Sequence, residues 1–382
     1  MALRVLHVIT GLNDGGAEAV LYRLCTHDRM HIHAVVSMMD QGKYGPLLEE
    51  AGVEVHCLGM PRGNLTIRGM IKLGRILHRW RPDVVQTWMY HANLIGGIVA
   101  RLSGIRTISW GIHHTNLVPE VSPWSTILVA RISALLSHLV PASIVCCSQR
   151  SIEVHRGIGY RADKLIYIPN GYDISRFKPD SWERNRIRLE LGIQGPIPLL
   201  GMVARHDPQK DHDNLIKALG ILKRSRVVFR CALIGTGMDG TNQSLREAID
   251  REGLFEDIIL LGRRDDIPRI MNGLDLHILS SSSESFPNVL AEAMACGTPC
   301  VTTNVGDAAI IIGETGWLVP PSDPAALAGA IEMAIKERSQ DPSGWQKRCA
   351  AARDRIASNF EIGLMVAMYR DCWRAISGRV IK

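Results

Sequence analysis

The feature that most restricts the fold of this chain is an alternation that runs almost from end to end. Short apolar, β-branched runs at 4–10, 31–37, 53–58, 83–88, 106–110 and 143–148 are each followed by a helical pattern. Strands that all run the same way need long crossovers between them, so this order predicts parallel βαβ units. After a run at 166–169, the stretch NGYDISRFKPDSW breaks the period with turn formers and a proline. The alternation restarts at 198–204 and continues through 227–234, 258–262, 274–280, 299–302 and a short 316–319. The expected fold class is α/β, with two doubly wound Rossmann-like domains facing across a cleft. The expected bounds are 1–175 and 176–363. Such sheets take ligands outside the carboxyl ends of their strands, so the loops after the strands are where chemistry should be sought.

Composition excludes several alternatives. The 382 residues are 46% hydrophobic and 21% charged, enough for two ordinary cores and too apolar for a disordered tail. Aromatic residues at 5% are too sparse for a stacking platform, so no nucleic-acid partner is expected. Nine cysteines with no CxxC spacing give neither a disulfide framework nor a zinc site. The opening MALRVLHVITGLNDGG reads as a first strand and not a signal peptide, and the expected compartment is the cytoplasm. The most lipid-like stretch, 124–145, is interrupted by Arg131, His138 and Pro141, so a buried or surface helix is expected there instead of a membrane span.

Charge is unevenly spread. Residues 1–180 hold 19 Lys and Arg against 13 Asp and Glu, whereas 181–382 hold 25 of each, so the whole excess of +6 lies in the first part. Much of it falls in 62–81, where Arg62, Arg68, Lys72, Arg75, Arg79 and Arg81 follow a helical apolar pattern without one acid. A helix of this kind can lie at the periphery of an anionic membrane or simply present a solvated outer face.

The richest segment is LDLHILSSSSESFPNVLAEAMACGTPCVTT, residues 274–303. A strand ends in a polar loop, Pro287 sits at or beside the first helical position, and the helix runs to Ala295 and stops at Gly297. The first-turn amides of Asn288, Val289 and Leu290 lack intrahelical acceptors and carry the positive end of the helix dipole, which suits a phosphate. Glu284 lies in the loop. Glu292, whose side chain leans toward the helix N-terminus, can reach the same mouth and accept both hydroxyls of a ribose.

ESFPNVLAE resembles the E-x7-E segment of retaining glycosyltransferases of the two-domain GT-B type, family 4. Those enzymes move a sugar from a nucleoside diphosphate to an acceptor. The likeness extends to GLNDGGAEAVL, RPDVVQTWMYHANLIG, GIHHTNL, IPNGYDISRFKP, GMVARHDPQKDHDNLIKAL and GWLVPPSDPAALA, and so covers nearly the whole chain. It implies that Arg205 and Lys210 neutralise the diphosphate, that Gly15 and Gly16 bring backbone close to it, and that Glu284 orients the transferred sugar. It further implies that Ser285, Phe286 and Glu292 line the donor pocket and that His113 stands near the reacting sugar. Asn93 and Asn116 would lie on the acceptor side. The resemblance also implies a last helix, 361–377, whose segment of about 364–382 packs back on the first domain.

A diphosphate leaving group needs positive charge and not a proton; Arg205 and Lys210 would supply it and no acid or His cluster shows ligand spacing, so no metal and no other cofactor is expected. The partners implied are a nucleotide-sugar donor and a saccharide or lipid-linked acceptor, in cell-surface polysaccharide synthesis. Two other motifs compete. GTGMDG, 235–240, fits a dinucleotide fingerprint, but it opens the second unit of its domain, and the acid expected after the next strand is replaced by Gly262-Arg263-Arg264. Asp211-His212-Asp213 fits a metal-binding D-x-D but sits where an acid would cap a helix. A nucleotide-sugar epimerase on the same fold and a dinucleotide oxidoreductase are the alternatives. Departures from the family pattern at Asp307, Ile310 and Ser285 concern the base and sugar contacts.

Overall fold

The computed structural model describes every residue except 1, 62, 64, 116, 118–122 and 379–382. Arg62 of the basic stretch and Asn116 of the expected acceptor side therefore lie outside the described residues. The chain divides into two compact units, 1–171 with 362–382, and 172–361, so the division falls at 171/172 where the sequence suggests 175/176.

Unit 1 is built on β1 (Arg4–Ile9), β2 (Ile32–Ser37), β3 (Glu54–Cys57), β4 (Val84–Trp88), β5 (Ile108–Ile112), β6 (Ser143–Cys146) and β7 (Leu165–Tyr167), in the spatial order β3-β2-β1-β4-β5-β6-β7. Unit 2 is built on β8 (Leu199–Val203), β9 (Arg230–Ile234), β10 (Ile258–Gly262), β11 (Leu276–Leu279), β12 (Cys300–Thr303) and β13 (Trp317–Val319), ordered β10-β9-β8-β11-β12-β13. Every pairing is parallel, as the alternation predicts. Both orders reverse direction beside their first strand, at β1/β4 and β8/β11, the points at which open parallel sheets take ligands.

Each sheet is covered on both faces because its residues alternate sides. In unit 1, Leu6 and Val8 of β1 pack with the helices Ile67–Trp80, Tyr90–Leu102 and Trp124–Leu136. Val5 and Ile9 face the other way, onto the helix Gly16–His27 and the last helix Ile362–Ser377, whose Met365, Tyr369 and Trp373 are buried in the same cluster. The last helix thus belongs to the core of unit 1 although the chain reaches it only after completing unit 2.

At the amino ends of the second sheet, Asp275 accepts from Arg188 at 2.9 Å and from Arg184 at 2.5 Å, while Arg338 Nε lies 3.0 Å away. Burial alone would raise this carboxyl, but the surrounding guanidiniums and the Leu199 amide hold it below its ordinary value. A cavity of about 930 Å³ opens at this end, lined by Arg184, Arg338 and Trp345 among others. None of the expected site residues lies there.

Burial pushes the imidazoles of His113, His155 and His212 down to about 4 and that of His277 to about 3. An unfolded histidine titrates near 6.5, so these rings stay neutral in the folded chain while their unfolded counterparts take up protons as pH falls. Stability is full above pH ~6.5 and is lost below it, by up to ~1.4 kcal/mol per ring for each unit of pH. The melting temperature should therefore fall steadily from pH 6.5 to 4.5. A scan by circular dichroism that stayed flat over that window would contradict the neutral, buried assignment.

Candidate active site

In unit 2 the two loops at the reversal point lock together. The loop after β8 carries Arg205 and a short 3-10 turn, Pro208–Lys210, capped by Asp207, whose Oδ1 accepts from the Gln209 amide at 3.0 Å. The loop after β11 returns alongside it: Ser282 N donates to Gln209 O at 2.8 Å, and the buried Ser280 hydroxyl lies 2.9 Å from Lys210 O. These bonds bring Lys210 Nζ to 2.5 Å from Glu284 Oε1, which also accepts from the Ser281 hydroxyl at 2.8 Å. Both members of the pair are mostly shielded from solvent.

Beyond Glu284 the chain enters the helix Asn288–Ala295, with Pro287 as its N-cap residue, and Glu292 stands half-buried in its middle. Asn288 Oδ1 accepts from the Tyr172 hydroxyl, so the first residue of unit 2 steadies the helix entrance. The loop after β12 closes from the other side. Gly306, at φ 53, lies so near the backbone oxygens of Glu284 and Ser285 that an added Cβ would meet them at 2.7 and 2.4 Å, and Asp307 N donates to Ser285 O at 3.0 Å.

The loop after β9 packs equally tightly against Arg205. An added Cβ on Gly235, at φ 144, would fall 2.1 Å from Ala204 O, and His206 N donates to Thr236 O at 2.8 Å. Gly235 and Gly237 of GTGMDG are thus required by the approach of two loops, whereas a side chain at Gly240 would meet open space. The following helix begins only at Gln243, capped by Asn242, and not at the glycine turn. Asp211 is also a cap: its Oδ1 accepts from Asn214 N at 3.2 Å and its Oδ2 from the Ser322 hydroxyl at 2.9 Å.

In unit 1 the loop after β1 ends at Gly15, the N-cap of the helix Gly16–His27, and Glu18 of the first turn folds back over Gly15, its Oε2 only 2.3 Å from where a Cβ would be. His113 follows β5 and stacks on Trp88 with ring centroids 5.0 Å apart, and its buried Nε2 has no protein hydrogen-bond partner. Trp88 ends β4. The next residue, Met89, holds φ 74, a conformation a residue with a side chain rarely keeps unless its surroundings impose it.

Comparison with known proteins decides what these loops belong to. Residues 14–176 match the family model described as Glycosyltransferase Family 4, and residues 197–337 match that of Glycosyl transferases group 1. A glycogen synthase of Mycobacterium tuberculosis is 30% identical over 311 residues, covering 78% of this chain and 70% of that protein. The chain belongs to the group 1 glycosyltransferases. An Escherichia coli UDP-Gal:alpha-D-GlcNAc-diphosphoundecaprenol alpha-1,3-galactosyltransferase is 23% identical, covering 80% of this chain and 79% of its own. The crystal structure of Anabaena HepE in complex with UDP-glucose superposes with a TM-score of 0.85 at 24% identity, over 98% of this chain and all of that one, which establishes the GT-B fold.

In this glycosyltransferase the expected site residues separate into three groups. Arg205, Lys210, Glu284, Ser285, Asn288, Val289 and Glu292 are brought to the carboxyl edge of unit 2. Phe286 and Leu290 are buried, Phe286 edge-on to Phe360, so their side chains anchor the loop and helix. The Leu290 amide, expected at the helix mouth, turns back to Pro287 O at 3.2 Å. In unit 1, Gly15, Gly16 and His113 stand at the carboxyl edge, but Asn93 does not present its amide to an acceptor. It is fully buried, donating to Gly111 O at 3.0 Å and accepting from the Thr87 hydroxyl at 2.6 Å, so it clamps the end of β5.

The two cations expected to meet a diphosphate are each paired with a carboxylate. Arg205 lies 2.9 Å from Asp207, and Lys210 is paired with Glu284, so the four groups together are neutral. Lys210 and Glu284 are read separately from the sequence because they lie 74 residues apart, and only the loop-to-loop bonds join them. Ser281, Tyr172 and Gly306 were invisible for the same reason. Gly306→Ala should test the closure: a left-handed alanine costs ~1–2 kcal/mol before any clash is counted. The variant should keep its circular dichroism spectrum and lose at least about tenfold in turnover. Unchanged turnover would mean that the 284–285 loop can yield without consequence.

Proposed function

We propose that the chain transfers a hexose or N-acetylhexosamine from a nucleoside-diphosphate sugar to a saccharide or lipid-linked saccharide acceptor, with retention of anomeric configuration, in cell-surface polysaccharide assembly. The observation that carries this reading is the cluster at the β8/β11 reversal, where Lys210, Glu284 and the start of the helix Asn288–Ala295 share one loop edge. That is the place where an open parallel sheet takes a nucleotide, and its cations, once freed from their carboxylates, suit a diphosphate. Glycogen synthase and the galactosyltransferase named above support a sugar donor by what they are called, and UDP-glucose bound to HepE supports the nucleotide.

In this reading Glu292 accepts the ribose hydroxyls, and the helix entrance with Arg205 and Lys210 stabilises the diphosphate as the glycosidic bond breaks. An arriving diphosphate competes with Asp207 for Arg205 and with Glu284 for Lys210. Glu284, released from the ammonium, turns to a hydroxyl of the transferred sugar. Retention needs either a nucleophile opposite the leaving group or attack from the same face guided by the departing diphosphate, and this reading takes the second course. His113, neutral above pH ~5 because burial holds its pKa at about 4, offers a hydrogen bond to the sugar without adding charge.

An oxidoreductase reading loses its motif, since Gly235 and Gly237 serve loop packing and the helix begins only at Gln243. In this reading Arg205 and Lys210, once released from Asp207 and Glu284, supply the charge that a metal would otherwise bring. The decisive experiment is donor turnover with EDTA present, across UDP-, GDP- and ADP-sugars. The parent chain should keep its rate, and Glu292→Ala should lose at least about a hundredfold in kcat/KM. Unchanged kinetics in that variant would remove Glu292 from the site, and an epimerised donor with no transfer would favour the epimerase.

A lipid-linked acceptor implies work at a membrane surface. Among the described residues no helix is long and apolar enough to cross a bilayer. The helix Ile67–Trp80 contains no acid, buries Leu73, Leu77 and Trp80, and exposes Arg68, Lys72, Arg75 and Arg79 beside Ile67 and Ile71. The helix Trp124–Leu136 likewise exposes Trp124, Leu128 and Leu135. Apolar groups next to unopposed cations suit a peripheral contact with anionic lipid, worth ~1 kcal/mol per basic residue. The chain should co-sediment with phosphatidylglycerol vesicles and not with phosphatidylcholine vesicles, and Arg68→Glu with Arg75→Glu should abolish this. Equal recovery with both lipids would reduce these cations to a solvated face.

A further inference from the structure

Among the buried groups of unit 1 that the reaction does not use, Trp88, His7 and His33 form a directed chain. Trp88 Nε1 donates to His7 Nδ1 at 3.1 Å. An indole nitrogen can only donate, so His7 Nδ1 carries no proton and the neutral ring holds its proton on Nε2. That nitrogen lies 3.0 Å from His33 Nδ1 and must donate to it, which places the His33 proton on Nε2 in turn. His33 Nε2 lies 3.2 Å from Asp28 Oδ2, a charge contact without hydrogen-bond alignment, and Asp28 Oδ1 accepts from Arg370 at 2.7 and 3.0 Å. A second histidine, His31, stands 3.3 Å from Asp28 Oδ2. One fixed donor thereby sets the tautomers of both rings, and the Asp28 carboxylate stands beside the last of them.

The same logic decides between two uses of these side chains. His7, His33 and Cys25 bring ligand-type atoms within 4.8 Å of one another, all buried. A metal on His7 Nε2 would need that nitrogen's lone pair and would move the proton to Nδ1, head-on against the Trp88 N–H. Protonating His7 would create the same conflict. The surroundings also oppose a charge there: burial and neighbouring His33 push the His7 pKa well below its ordinary value. Asp28 stays ionised, since His31, His33, Arg370 and the Met30 amide hold its carboxyl below the ordinary range against the opposing effect of burial.

What the chain holds is the Trp88 ring. Its face carries His113, with an interplanar angle of 19°, and Tyr369 of the last helix also stacks on it at 5.8 Å. Trp373 of that helix packs edge-on to His7 at 5.8 Å, and Arg370, one turn away, grips Asp28. A stacked ring can slide or tilt unless its one polar atom is fixed, and Nε1 is that atom. We propose that the relay Trp88–His7–His33–Asp28 sets the orientation of His113, with His7 and His33 as positioning residues anchored on the last helix through Arg370. This rests on the reading above in which His113 meets the reacting sugar.

Two measurements on the full chain test it. In ¹⁵N-histidine-labelled protein at pH 7, the imidazole resonances of His7 and His33 should both report the Nε2–H tautomer, and His7→Phe should move the Trp88 indole proton upfield. Either ring found as Nδ1–H, or as a cation, would overturn the relay. Kinetically, His33→Leu removes the acceptor for His7 Nε2–H, whereas His33→Asn keeps a polar atom near the Nδ1 position. His33→Leu should lower kcat about tenfold with donor KM within about twofold, and His33→Asn should recover most of the loss. Equal kcat in both variants, or a lowered melting temperature with kcat unchanged, would reduce the relay to packing. The tautomers need no turnover: Nε2–H on both rings in a chain that transferred no sugar would refute the function proposed above and leave the hydrogen-bond chain standing.

Discussion

The contact between Lys210 and Glu284 is the interaction around which the carboxyl edge of unit 2 is organised. It joins the loops after β8 and β11, the two strands at which the sheet reverses its order. A parallel sheet must send its connections to opposite faces at such a point, so these two loops would otherwise diverge. Backbone bonds from Ser282 to Gln209 and from Ser280 to Lys210 hold them together, and the ion pair closes the gap. In a partly shielded place an ammonium and a carboxylate must satisfy each other until a substrate does so better, since a lone charge there is costly. The pair therefore keeps both groups in position for the diphosphate and sugar that the functional reading assigns to them.

Unit 1 solves a different problem with neutral groups. Its reversal point, between β1 and β4, is stocked with buried imidazoles and indoles in place of ion pairs. His7, His33 and Trp88 satisfy each other in one direction, while Met89 and Asn93 fix the backbone on either side of the β4 end. Neutral hydrogen-bonded rings avoid the desolvation cost that charges would meet there. The last helix belongs to this arrangement: Tyr369 and Trp373 complete the aromatic packing, and Arg370 supplies the guanidinium that grips Asp28.

Much of the fold was readable in advance. All thirteen strands fall within or beside the runs predicted for them, because a buried parallel strand demands a short apolar, β-branched run whatever surrounds it. The loop-helix segment around Glu284 was readable for a related reason, since Pro287 and Gly297 mark the ends of a helix by backbone chemistry alone. The roles of Asn93, Phe286 and Leu290 were not. A polar residue after a strand and an apolar residue before a helix can face a ligand or the core with the same sequence around them. Burial, a property of distant neighbours, separates the two.

The sequence by itself determined the order of strands and helices, the α/β class, the uneven charge and the residue types gathered at the strand ends, because these follow from local periodicity and side-chain chemistry. Only the tertiary structure decided which charges cancel, which glycines are needed for close approach and which histidines are linked. Lys210 and Glu284 stand 74 residues apart, and Trp88 and His7 stand 81 apart. Contacts of that range have no local signature. They exist because parallel pairing brings the ends of noncontiguous strands to one edge, where each polar group removed from water must take its partner from whichever chain segment arrives beside it.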